Sequence, residues 1–128
     1  MNNQKRITPT KTFSDLVFND HPNNPDGVQA TLGLGNDINI SVVSMKDKET
    51  QFGGLYGAVT AGTYEVAVFH HDNMLPLSPF DDVLGWQTEG NIDGLMHSLQ
   101  SDNFADVIAE FHNERNESRK DLGLTNHE

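Results

Sequence analysis

Two alternating apolar runs, separated by three residues that tolerate a left-handed backbone, constrain this chain more than any other feature. Val28, Ala30, Leu32 and Leu34 alternate with Gln29, Thr31 and Gly33, and Ile38, Ile40 and Val42 resume the same period. A period of two places each apolar set on one face of a strand. Gly35, Asn36 and Asp37 supply the chemistry of a tight turn between them. A β-hairpin over residues 28–43 is therefore the frame for the rest.

Thr12 to Phe18 (TFSDLVF) reads as a first strand, followed by nearly pure turn chemistry up to Asp26-Gly27. Thr63 to His70 reads as another strand, with Tyr64, Val66 and Val68 on one face and Ala67 and Phe69 on the other. Apolar residues on both faces predict a central strand covered on two sides. Lys46 to Gly62 is a glycine-rich loop with an extended piece at Leu55 to Thr60, and short extended pieces follow at Met74 to Pro79 and Val83 to Gln87. Ile92, Leu95, Met96 and Leu99 fall at i, i+3, i+4 and i+7, which predicts a helix over Asn91 to Gln100. Phe104, Val107, Ile108 and Phe111 repeat that spacing, with Ser101 or Asp102 as N-cap and a fraying end in Asn113 to Arg119. Strands first and helices last predict an α+β fold: a small antiparallel sheet of four to five strands with two C-terminal helices packed on it. Residues 12–118 form one domain in this reading, between a flexible N-terminal arm (1–11) and a flexible tail (119–128).

Charge is the main global feature. The chain carries 19 acidic and 8 basic residues, a formal net charge of −11. Residues 12–110 hold 15 of the acids and only Lys46 and Lys48 as cations, a net of −13, while the other cations lie near the two ends. Such a surface repels phosphate and anionic lipid and attracts basic partners. Direct nucleic-acid and membrane binding are therefore not expected. There is no cysteine, which excludes disulfides, thiol catalysis and Cys-ligated zinc. No apolar run approaches the ~20 residues that span a bilayer, and no apolar stretch follows Lys5-Arg6 as a secretory signal requires. A soluble, cytoplasmic protein is the expectation.

Candidate chemistry is sparse. His70, His71 and Asp72 form the most metal-like cluster, but neighbouring strand residues point to opposite faces, so no metal site is assigned. Asp81-Asp82 could serve acid–base work only if burial or repulsion split their pKa values; turn-forming aspartates after Pro79 are the simpler reading. Residues 22–33 miss the register of a calcium loop, with Pro22 at its first ligand position and Gly33 at its last. Gly33-Leu34-Gly35 lacks the third glycine and the following helix of a dinucleotide fingerprint. No catalytic residue and no cofactor is predicted. Trp86, the only tryptophan, is read as a core anchor in preference to an interface anchor. Partner-binding candidates are the carboxylates Asp72, Asp81, Asp82, Glu89, Asp93, Asp102, Asp106 and Glu110.

The order GVQATL (Gly27 to Leu32), INISVV (Ile38 to Val43), YEVAVF (Tyr64 to Phe69) and DDVLGWQT (Asp81 to Thr88) resembles small proteins of unknown function encoded by tailed bacteriophages. The resemblance covers residues 12–100 and rests on strand cores and a turn, so it implies a fold and expression inside an infected bacterium, and it carries over no catalytic residue. The leading expectation is an acidic, non-enzymatic binding protein. It would inhibit a host nucleic-acid-binding or defence protein by occupying its basic surface, in the anti-restriction or anti-CRISPR manner. The alternatives are a virion structural or assembly accessory, and a small hydrolase using Asp81/Asp82 or His70/His71. Exposed sheet edges and the two-sided apolar strand are compatible with a homodimer.

Overall fold

In the computed structural model of the chain, residues 10–47 and 57–121 are described. Their fold is α+β: an antiparallel sheet followed by two helices. The strands are β1 (Asn19–His21), β2 (Asn24–Gly35), β3 (Ile38–Met45), β4 (Tyr64–His70), β5 (Asn73–Met74) and β6 (Leu84–Gln87). They run in the order β1-β2-β3-β4, and β5 and β6 share the far edge of β4, one at each end. Helix α1 spans Glu89–Leu99 and α2 spans Phe104–Asp121.

The expected hairpin is the centre of the sheet. Ala30 pairs with Val42 and Leu32 with Ile40. Asn36 and Asp37 adopt φ of 55° and 62°, the left-handed pair that a two-residue hairpin turn demands. His71 and Asp72, at 54° and 69°, make a second such turn between β4 and β5. The two turns touch: the His71 N–H donates to the Asp37 carbonyl at 3.0 Å, and His71 Nδ1 lies 3.4 Å from Asp37 Oδ2.

One face of the sheet builds the core. Ala30, Leu34, Ile38, Ile40, Val42, Tyr64, Val66 and Val68 are buried there, and the helices answer with Ile92, Met96, Leu99 and Ile108. Each large side chain so buried contributes about 1.5–3 kcal/mol. Phe13 and Phe18 pack on the Tyr64 ring at centroid distances of 5.2 and 5.6 Å. Burial, and then the Glu89 carboxylate, push the Tyr64 hydroxyl above its ordinary pKa.

Four expectations change. Thr12 to Phe18 contains no strand; Phe13–Asp15 is a 3-10 turn. One local and one distant side chain compete for its backbone: Thr12 N–H donates to Asp15 Oδ2 (2.8 Å) and Phe13 N–H to Asp93 Oδ1 of α1 (2.6 Å). β4 is central, yet its second face is only half-covered, since Ala67 and Phe69 stay partly exposed. Trp86 is not a core anchor. It is 49% exposed at φ 58°, in a bulge where Gly85 and Trp86 together oppose Glu65. Bulges at sheet edges re-aim side chains in this way. Finally, α2 continues through Asp121, so residues 119–121, placed in the tail above, are helical. Arg119 and Lys120 in its last turn complement the macrodipole.

Of the expected arm, Lys11 is bonded on both sides of its backbone to the Gln100 side chain, each at 2.8 Å. Residues 1–9 and 122–128 lie outside the described residues. The extended piece expected at Leu55 to Thr60 falls partly outside them too. Its described part is a single parallel bridge, Met45 with Ala58, leading into a 3-10 turn at Val59–Ala61.

Candidate acidic groove on the second helix

Helix α2 is held by one face and presents the other. Phe104, Val107, Ile108 and Phe111 pack on the core, and one turn beyond Phe111 the same face carries Arg115. Arg115 is a latch. Its Nε and Nη2 donate to the Ser78 carbonyl at 3.2 and 3.0 Å, and Nη2 also reaches the Asp81 carbonyl (3.0 Å) and Asp82 Oδ1 (2.9 Å). A planar guanidinium suits this multiple capture, which a lysine point charge cannot match. The segment Ser78–Asp82 closes on itself as well, through Ser78 N–H to Asp81 O (3.1 Å) and Asp81 N–H to Ser78 Oγ (3.0 Å).

The latch brings Pro79 against α2 and so makes a groove. One concavity of about 350 Å³ is lined by Asn103, Asp106, Val107, Glu110, Phe111 and Glu114. The next, of about 490 Å³, is lined by Pro79, Glu110, Asn113, Glu114, Glu117 and Ser118. Both are shallow and largely open, and they share Glu110 and Glu114, so they adjoin as a shallow trough along the helix. Its acids, Asp106, Glu110, Glu114 and Glu117, are spaced 4-4-3 and stand on successive turns of one face. Its apolar lining is Val107, Phe111 and Pro79. Among the described residues none of these four carboxylates forms an ion pair. Like charges one turn apart destabilise a helix by about 0.2–0.5 kcal/mol per pair. This row is therefore a cost to the fold that folding does not explain.

The candidate carboxylates divide accordingly. Asp106 and Glu110 share the trough, and Asp102 sits just before α2, beside a smaller concavity formed with Thr10, His97 and Gln100. The others are dispersed. Asp72 lies in the β4–β5 turn, Glu89 starts α1 beside Tyr64, and Asp93 accepts the Phe13 N–H. Asp82 is engaged by Arg115, and Asp81 Oδ1 accepts the Val83 N–H at 3.3 Å. Both aspartates thus shape the latched segment. The His70 and His71 rings lie 4.1 Å apart between centroids, tilted by 43°, because the turn at His71 breaks the strand alternation. No three His, Asp or Glu side chains among the described residues are placed to hold a metal ion. Glu114 and Glu117 are the site residues that sequence reasoning missed; the 4-4-3 spacing was the signal for them.

No helix of the described residues is long and apolar enough to cross a membrane. No family model, curated protein or solved structure matches the chain.

Proposed function

We propose that this chain is an acidic, non-enzymatic binding protein, made in the cytoplasm of a phage-infected bacterium. There it occupies the basic surface of a host nucleic-acid-binding or defence protein, and the α2 trough makes the contact. The observation that carries this reading is the row Asp106, Glu110, Glu114 and Glu117. Its members are unpaired among the described residues, aligned, and set along a concave surface. A protein that needed acidity for solubility alone gains nothing from stacking it on one helix face with no cations interspersed. A basic partner supplies the missing counter-charges, and the same field speeds its approach.

Capture from bacterial lysate by the immobilised chain tests the reading. It expects a nucleic-acid-binding protein to be retained at low salt, released toward physiological salt, and blocked from its nucleic acid by the chain. Two rim charges are together worth about 1.4 kcal/mol, so Glu110→Gln/Glu114→Gln should weaken retention by about tenfold. Capture that ignores both salt and this double substitution contradicts the proposal.

A further inference from the structure

The sheet's second face lies opposite the helices. The core residues Val42, Val66 and Val68 alternate with Ser41, Val43, Glu65, Ala67 and Phe69, so these point the other way. Val43, Ala67 and Phe69 are only half-buried and lie outside the core cluster. The register arranges this face in three rows across β2, β3 and β4: Gln29–Val43–Glu65, Thr31–Ser41–Ala67 and Gly33–Asn39–Phe69. Glu65 is the one charged residue of the nine, on a chain of net charge −11. Beyond Glu65, on β6, stands Trp86, half-exposed and held in the left-handed backbone region that a bulky side chain rarely adopts.

The rows select the occupant. Two sheets stack about 10 Å apart with their strands nearly aligned. When a second copy is set down by a two-fold axis running along β3, β4 of each copy lies over β2 of the other. Row by row, Phe69 then faces Gly33, where no side chain stands in its way, and Ala67 faces Thr31. Glu65 faces Gln29, whose amide donates one N–H to Ser41 Oγ at 3.3 Å and has a second to offer. Val43 meets its own counterpart across the axis. Large falls on small and acceptor on donor, and each contact occurs twice, as an isologous interface requires. Charge points the same way, because on so acidic a chain a nearly neutral face is where two copies can approach. We infer that the second face of the sheet receives a second copy of this chain, β4 over β2 in both directions. Five strand positions wide, the face measures about 24 by 20 Å, so two copies hide roughly 1,000 Å², the low end for a specific interface. The dimer is therefore weak, with a Kd of about 10–100 μM.

Sedimentation equilibrium of the full chain across roughly 1–500 μM tests it. The average mass is expected to rise from one chain toward two. At a given concentration it should rise further as salt goes from about 50 to 300 mM, because salt screens the repulsion between the copies. Thr31→Glu sets a carboxylate against Ala67 of the other copy, one row from its Glu65, and should weaken association at least ~10-fold. Thr31→Lys has similar reach and the opposite charge, and should weaken it by ~3-fold or less. Thr31 is exposed, so both variants should keep the parent's far-UV circular dichroism. A chain that stays single throughout, a dimer that salt weakens, or one indifferent to Thr31→Glu overturns the inference. The face is separate from the α2 trough, so none of these outcomes decides whether the trough takes a basic partner.

Discussion

Gly57→Ala is expected to destabilise the protein by about 2–3 kcal/mol, lowering its melting temperature by roughly 10 °C. A Cβ at Gly57 would stand 2.7 Å from the Tyr64 Cα and 2.8 Å from the Thr63 carbonyl oxygen and the Tyr64 nitrogen. All three are backbone atoms, so no rotamer change relieves the overlap. Nor can the strand step aside, because Gly57 is tied in from the other side: its carbonyl accepts the Met45 N–H at 3.0 Å. Next to that contact, the buried Ser44 hydroxyl donates to the Thr63 carbonyl at 2.8 Å, so a shift would also expose an unmet polar group. Gly94→Ala is the matched control. Gly94 lies inside α1 and an added Cβ meets nothing within 4 Å. There the same change should stabilise by about 0.5–1 kcal/mol, through helix propensity alone. Thermal melts of the two variants should move in opposite directions. A Gly57→Ala melt within a degree of the parent would contradict the close approach of these segments.

Arg115→Ala should cost about 2 kcal/mol, because it leaves the Ser78 and Asp81 carbonyls and the Asp82 carboxylate without their shared donor. The figure is held below the sum of four charge-assisted bonds, since the segment is partly exposed and water replaces some of them. Arg115→Lys should recover less than half, for one ammonium cannot span the three acceptors. Hydrogen exchange separates a local from a global effect. The Ser78 and Asp81 amides should exchange at least ~10-fold faster in Arg115→Ala, beyond the change at Val42 in the sheet centre. Unchanged exchange at Ser78 and Asp81 would mean that the segment holds itself, and that Arg115 does not shape the trough.

What the sequence made legible follows from the range of the interactions involved. The hairpin could be read because its two determinants, the apolar alternation and the Asn36-Asp37 turn, are local and agree. The apolar stripes of both helices are local as well, and they face the sheet as their spacing predicts. Thr12 to Phe18 misled because its aromatic and β-branched residues suit a strand, while Asp15 and the distant Asp93 claim its backbone donors. Trp86 misled because a lone tryptophan is commonly a core residue, and only the pairing of β6 with β4 creates the bulge that turns it outward. The trough was half legible. Its acidic row is a plain 4-4-3 pattern, but the far wall comes from Pro79, brought in by an Arg115–Ser78 contact 37 residues apart in sequence. No local rule points to that contact.

The proposal that the acidic row of α2 meets a basic partner is tested most directly by amide NMR during a titration with a lysine-rich peptide. The account predicts that the largest shift changes fall on residues 103–118 and on the segment 78–82, and that they shrink together as salt is raised. Changes spread evenly over the exposed carboxylates, or concentrated at the β2–β3 and β4–β5 turns around Asp37 and Asp72, would contradict it.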